Sequence, residues 1–309
     1  MVDGAEVIGI DLGGTAIKLG RFNRQGICLE SLTVPTPQPA LPLAVVEAMV
    51  KSIVQLVPNR SQIVCMGVGT PGPSDVTHRI ARLALNLPEW HNIPLADLLE
   101  AQTGIPTVVE NDANCAAIAE AWLGATRGFQ NFILLTLGTG VGGAIFLNGQ
   151  LFTGHQGAAG ELGVITFNPE GPPCNSGNRG SFEQYASIRA IRRLSGKEPD
   201  ELALLAQKGD KQALACWETY GRNLGIGLSS LIYVLTPEAI AIGGGISASA
   251  EFFFPSAIAE IERRVLPPSR EGLQLVKAEL GNQAGIVGAA KLAWDLSQIL
   301  GIQPSKCDT

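Results

Sequence analysis

The residues best suited to chemistry are one aspartate and two loops of glycine and threonine. Asn111-Asp112 stands between an apolar run, Pro106 to Glu110, and a helical pattern that starts at Ala113. A helix N-terminus favours an ionised carboxylate. Asp112 is therefore a candidate general base toward an alcohol, although Asn and Asp also fill helix caps routinely. Asp11-Leu12-Gly13-Gly14-Thr15 and Gly138-Thr139-Gly140-Val141-Gly142-Gly143 each separate two apolar runs. Glycines there let backbone N–H groups approach phosphate oxygens, and the threonines add hydroxyl donors. Asp11, at a strand end, can hold Mg²⁺ through water, because that ion dehydrates reluctantly. Either loop alone fits a plain hairpin equally well. Two of them, one from each half of the chain, point to phosphoryl transfer in a cleft between two lobes.

Other motifs narrow the chemistry. The second loop matches G-x-G-x-x-G, but a dinucleotide fingerprint must open a helix. Here Ala144 to Leu147 continues as a strand into Asn148-Gly149, and no P-loop motif occurs. Gly157-Ala158-Ala159-Gly160-Glu161-Leu162-Gly163 sets one carboxylate among small residues, a pattern suited to accepting sugar hydroxyls. The run from Cys174 to Glu183 reads as a damaged metal loop, since a single cysteine cannot build a tetrahedral zinc site. The chain's three histidines, His78, His91 and His155, supply no clear partner set. Zinc is therefore not expected.

The elements that must position these groups follow from patterning. Residues 7–34 read as a meander of short strands, followed by a proline-rich connector from Pro35 to Pro42. Helical spacing runs from Leu43 to Val57. Ile63 to Gly69 reads as a buried strand that ends in Gly69-Thr70-Pro71-Gly72. A helix is expected over 93–103, a strand over 106–110, and a helix from Ala113 to Thr126 closed by Gly128. The pattern restarts at Phe132. After a loop-rich stretch, 154–180, the chain turns mostly helical. Ala239 to Ile242 reads as a strand ending in Gly243-Gly244-Gly245, Leu273 to Ala278 as a strand, and Gly285 to Leu300 as the last helix. A meander followed by helical crossovers, seen twice, predicts a duplicated α/β architecture with mixed sheets.

Bulk properties exclude several classes. A chain of 309 residues suggests about two domains and needs no disulfide staple. The net charge of −6 and the lack of a basic run argue against nucleic-acid or membrane-surface binding. No apolar run is long enough to span a bilayer. Six scattered cysteines and a short acidic start without targeting features predict a cytoplasmic protein with reduced thiols.

Together these motifs resemble the ROK family of repressors and sugar kinases, which have the actin-like ATPase (ribonuclease H-like) fold of two lobes around a cleft. The likeness runs through the first loop, Asn111-Asp112 with Asn114, the second loop, and Gly157, Gly160, Glu161 and Gly163. It continues at Gly69 to Gly72, Asn86-Leu87-Pro88 and Gly243 to Gly245. The resemblance implies ATP-dependent phosphorylation of a hexose at its 6-hydroxyl, with glucose the leading substrate. The alternatives are mannose, fructose, an N-acylhexosamine, a glucoside, or a non-catalytic sugar sensor. It implies that Asp112 is the base. Asp11, Gly13, Gly14, Thr15, Lys18, Gly138, Thr139, Gly140 and Gly243 to Gly245 would hold the nucleotide, with Mg²⁺ on Asp11 through water. Gly72, Asn86, Asn111, Asp112, Glu161 and Glu183 would hold the sugar. The glycine turn at Gly243 favours a nucleoside donor over polyphosphate. Family repressors carry a DNA-binding domain before the first loop, and here that loop begins near residue 11.

Two departures from the family pattern concern zinc. Val164 stands where the family usually has histidine, and Ser176 and Ser181 replace two cysteines. The loop is expected to be metal-free, held by hydroxyl and backbone hydrogen bonds. The expected lobes are 1–112 with 288–309, and 113–287. A homodimer is expected, partly by family analogy.

Overall fold

The computed structural model describes residues 4–57, 59–84 and 87–302. In chain order it begins with strands β1 (Glu6–Leu12), β2 (Ala16–Phe22) and β3 (Cys28–Pro35), helix α1 (Pro42–Leu56) and strand β4 (Ile63–Thr70). A small hairpin follows, β5 (Ala81–Leu83) and β6 (His91–Ile93), then α2 (Leu95–Thr103), β7 (Thr107–Asn111) and α3 (Asp112–Leu123). The second half opens with β8 (Phe132–Leu137), β9 (Val141–Leu147) and β10 (Gln150–Leu151). Helices α4 (Glu183–Ala186), α5 (Ile188–Ser195), α6 (Pro199–Gln207) and α7 (Lys211–Leu235) come next. The chain finishes with β11 (Ala239–Gly243), α8 (Ala250–Arg264), β12 (Gln274–Lys277) and α9 (Ala284–Ile299).

Packing divides the chain into two units. The first takes the described residues through Gly124, Thr153–Ala159, and those from Asn282 onward; the second takes Ala125–Phe152 and Gly160–Gly281. The first unit's sheet has the order β3-β2-β1-β4-β7, and the second unit's has β10-β9-β8-β11-β12. In each, the first three strands pair antiparallel and the last two join the first in parallel. The duplicated mixed-sheet α/β architecture expected from patterning is therefore present.

The parallel strands of the first sheet are buried on both faces, which is why β4 reads as an unbroken apolar run. One face receives α9 at backbone distance. A Cβ at Gly67 would stand 1.9 Å from the Ala289 carbonyl oxygen, and one at Gly9 would stand 1.9 Å from that of Ile286. Helix α3 docks on α9 the same way, since a Cβ at Gly288 would fall 1.7 Å from the Cys115 oxygen. This docking keeps α3 with the first sheet, so that unit runs to Gly124 where sequence reading put the border at residue 112. Helix α3 is also shorter than expected. It ends at Leu123 because Gly124 leaves helical geometry while its N–H still bonds the Glu120 oxygen.

In the second unit the long helix α7 packs on α8 through Gly221 and Gly225, each within 2.5 Å of an α8 carbonyl oxygen if given a Cβ. Trp217, Tyr220 and Phe253 form the aromatic centre of that core. No described helix is long and apolar enough to cross a membrane.

The glycine seats of α9 have a measurable consequence. Gly67→Ala is expected to destabilise the protein by about 3 kcal/mol, the upper range for overpacking, read from urea or guanidinium unfolding. A variant as stable as the parent would show that α9 does not rest on that strand.

Candidate active site

The first unit presents the β1–β2 turn and the β7–α3 junction. In the turn the Gly13 N–H donates to the Ala16 oxygen at 2.9 Å. Its carbonyls are held from outside: Thr36 Oγ1 donates to the Gly13 oxygen at 2.7 Å and Gln38 Nε2 to the Gly14 oxygen at 3.1 Å. Gly14 and Thr15 are exposed. A glycine turn with held carbonyls and exposed Gly14 and Thr15 suits an anion. Asp11, next to last in β1, lies 3.4 Å from Lys18 Nζ. Burial raises the Asp11 carboxyl above its ordinary range, against the lowering effect of Lys18. Gly285, in the first turn of α9, lets that helix N-terminus reach the carboxyl; a Cβ there would stand 2.7 Å from the carboxyl carbon. A single carboxylate in this setting fits a water-mediated Mg²⁺ contact rather than an all-protein cage.

At the junction Asn111 caps α3, its Oδ1 accepting from the Asn114 N–H at 3.0 Å. Its Nδ2 donates to the Gly72 oxygen and to Asp112 Oδ1, both at 3.1 Å. Asp112 Oδ1 also accepts from the Ala113 N–H at 2.7 Å. Asp112 is exposed at the first position of α3, so helix geometry and two donors orient its carboxylate. Gly72 has φ +75° and admits no Cβ, because the Leu83 oxygen would lie 1.8 Å away. Asn111 is thus more engaged locally than a simple sugar contact would be: both amide hydrogens and one lone pair of its oxygen have partners. Asn86 lies outside the described residues.

Sequence reasoning missed what lies beneath this pair. Glu110 is fully buried, and its Oε1 accepts from Ser74 Oγ at 2.9 Å, the Asn111 N–H at 2.7 Å and Asn114 Nδ2 at 3.0 Å. Its Oε2 sits 3.1 Å from His78 Nδ1. The available signal was a glutamate closing an otherwise apolar buried strand.

The second unit presents the β8–β9 turn, the end of β11 and two glutamates. The Gly138 N–H donates to the Gly140 oxygen at 3.0 Å, and the Gly138 oxygen accepts from the Ile188 N–H at the start of α5 at 2.8 Å. Gly244, at φ +79°, packs against the strand just before this turn; a Cβ would meet the Leu137 oxygen at 2.3 Å. The Gly138 and Gly243 turns therefore stand side by side. Glu183 heads α4 beside Gly140, where a Cβ would come 2.9 Å from its Oε2. Glu161 is held near β9 by Gly160 and Gly163, whose positions fit against Gly143 and Val141. The protein surrounding the Glu161 carboxyl raises its pKa, and the like charge of Glu183 adds to that.

The Cys174 loop is tied by side-chain and backbone hydrogen bonds. Cys174 Sγ donates to Glu183 Oε1 at 3.0 Å and accepts from Ser176 Oγ at 3.2 Å. Asn178 donates to the Val164 oxygen and to Thr166 Oγ1, and the Cys174 N–H bonds the Asn178 oxygen. Ser181 does not join: its buried hydroxyl has no partner among the described residues. Among the described residues no group of three or more His, Cys, Asp or Glu side chains is arranged to hold a metal ion.

A family model described as the ROK family matches residues 7–295. The glucokinase of Thermotoga maritima is 34% identical over 307 residues, covering 93% of this chain and 96% of that protein. A ROK family glucokinase from Streptomyces griseus, solved in complex with glucose and AMPPNP, superposes with a TM-score of 0.83 at 33% identity. That match covers 94% of this chain and all of the other. A ROK hexokinase from Thermus thermophilus matches with a TM-score of 0.82 at 35% identity, over 95% and 99% of the two chains.

The composition of the Cys174 loop leads to one expectation here. Purified protein is expected to carry less than one zinc per ten chains by elemental analysis. One zinc per chain would show that the loop binds metal despite its substitutions.

Proposed function

The chain belongs to the ROK family, with the actin-like ATPase fold, and we propose that it transfers the γ-phosphoryl group of ATP to the 6-hydroxyl of glucose. The observation that carries the residue assignment is the Asn111–Asp112 junction. A carboxylate there is exposed, oriented by two donors at Oδ1, and stabilised as an anion by the start of α3. Asp112 takes the proton of the 6-hydroxyl as that oxygen attacks the γ-phosphorus, late in a loose transition state. Asn111 aims Asp112 and offers the remaining lone pair of its oxygen to the sugar. Gly72, Asn86, Glu161 and Glu183 hold the other hydroxyls, which gives strong rejection of analogues lacking one.

The Gly13-Gly14-Thr15 and Gly138-Thr139-Gly140 turns hold phosphate oxygens with backbone N–H groups and threonine hydroxyls, with Lys18 adding positive charge. The Gly243-Gly244-Gly245 turn takes the adenosine side. Asp11 would hold Mg²⁺ through water, and the ion would neutralise charge at the phosphates. Exposed Tyr233, Val234 and Leu266, gathered where α7 ends, support a homodimer contact. Five cysteines unpaired among the described residues fit a cytoplasmic site of action.

Two measurements test this reading. In an assay of ADP release over a hexose panel, glucose is expected to give the highest kcat/KM, ahead of mannose, fructose and N-acetylglucosamine. No turnover on any of them would overturn the kinase assignment. Asp112→Asn is expected to lower kcat by about 10³-fold, within the range for a general base, while calorimetric glucose binding changes less than threefold. Near-parental turnover would remove Asp112 as the base.

A further inference from the structure

His78 is an unusual residue for its position. It sits at φ +56° in the turn after β4, a conformation that a bulky side chain seldom adopts. Its N–H closes the turn on the Asp75 oxygen at 3.0 Å, and two further contacts reach β7. Its carbonyl oxygen accepts from the Val109 N–H at 2.8 Å, and its Nδ1 lies 3.1 Å from Glu110 Oε2. Nδ1 and Oε2 are both buried, and neither has an aligned hydrogen-bond partner among the described residues. At that separation the two groups attract as a close pair of opposite charges in contact. Three donors hold the other Glu110 oxygen, and two of them, the Asn111 N–H and Asn114, belong to the cap of α3. A full carboxylate thus sits directly beneath the Asn111–Asp112 pair, with the imidazole as the cation against it.

We propose that His78 and Glu110 are positioning residues: an ion pair that holds the β7–α3 junction so that Asp112 faces the acceptor hydroxyl. The proposal rests on the reading of Asp112 as the base. A buried carboxylate without a counter-charge is costly and draws its surroundings out of place. Without the imidazolium, Glu110 must take up a proton or admit water. Either change weakens its hold on the Asn111 N–H and Asn114, and with them the cap. Loss of His78 should therefore reach kcat through misaimed Asp112, with little effect on glucose affinity.

The pair titrates in an accessible range. Contact with Glu110 raises the His78 pKa above the ordinary 6.5, burial opposes this, and Asp75 in the same turn adds to the rise. Burial pushes Glu110 upward, but its contacts with His78, Asn114 and the Asn111 N–H outweigh that and hold it below the ordinary carboxylate value. Asp75, the other charge facing His78, remains ionised. Despite some burial, the Thr77 side chain and the N–H groups of Ile80, Arg79 and Thr77 hold its carboxyl down to about 2. Because the folded His78 pKa lies above the unfolded one, its contribution is complete below about pH 6.5. It is lost as pH rises through the folded value.

The test uses the full-length protein with glucose and Mg-ATP. Glycine accepts φ +56° without strain, and asparagine both tolerates it and keeps a neutral donor. His78→Gly is expected to lower kcat about tenfold at pH 7, leave the glucose KM within twofold, and abolish the kcat step above pH 6.5. His78→Asn should recover kcat to within about threefold of the parent while still lacking that step. Glu110→Gln should return the His78 imidazole, followed by NMR, to an ordinary pKa. Parental turnover together with a His78→Gly variant of unchanged kcat and pH profile would refute the positioning role alone. A matched fall in kcat and rise in glucose KM would assign the pair to sugar binding and refute it as well. No turnover by the parent on any hexose would refute the kinase reading, and the positioning role with it.

Discussion

Helix α9 lies against β1 and β4 at a separation set by backbone, not by side chains. Gly9 and Gly67 face the helix, and its carbonyl oxygens occupy the space where a Cβ would project. Gly288 then gives α3 the same close seat on the opposite side of α9. This stack brings together three chain segments that are distant in sequence. Its chemical effect is at the strand ends. Asp11 lies near the end of β1 beside the first turn of α9, and Asp112 opens α3 where that helix leaves β7. The tolerances of packed interiors are tight, so the positions of both carboxylates follow from where α9 is seated.

A buried charge is the second determinant. Glu110 lies in the core of the first unit, yet its carboxylate is satisfied at one oxygen by three donors and faced at the other by His78. Buried ion pairs contribute little net stability compared with apolar packing, and their better-attested effect is on specificity of arrangement. That distinction fits here. The donors around Glu110 come from the turn after β4, the backbone of Asn111 and the first turn of α3. The charge ties together the segments that form the sugar side of the proposed site.

Much of this was legible in the sequence, and what was not has physical reasons. The hairpins at Val7–Phe22 and Phe132–Leu147 stood out because apolar runs on both sides of a Gly/Thr turn have few other readings. The Asn111-Asp112 junction was legible because a strand, a polar pair and a helical pattern adjoin within a few residues. The β5–β6 hairpin was not, since three-residue strands carry no period. The end of α3 was read at Thr126, past its true end at Leu123, because Ala125 and Thr126 are compatible with a helix and only local geometry at Gly124 stops it. The glycines beneath α9 were invisible as seats, because a strand glycine does not declare what approaches it. His78 had no signal at all: nothing in a one-dimensional pattern pairs residue 78 with residue 110.

The two units show how one topology is made to do two jobs. In both, the turn between the first two strands is a Gly/Thr turn. In both, the fourth strand of the sheet order is followed within two residues by a glycine with positive φ, Gly72 after β4 and Gly244 after β11. Both halves therefore offer the same kind of hairpin turn to the proposed phosphate contacts. The difference lies at the fifth strand. β7 runs straight into α3, and that junction supplies a cap, a carboxylate and the buried charge beneath them. β12 is short, largely exposed and followed by no such junction. The second unit instead has a long loop ahead of α4, over residues 160–182, and there Cys174, itself bonded by Ser176, holds Glu183. A catalytic carboxylate needs a rigid strand-to-helix corner, whereas contacts that choose among hydroxyls tolerate a loop. In the proposed reading, the difference between the halves at these two places gives the acid–base group to one and the adaptable polar contacts to the other.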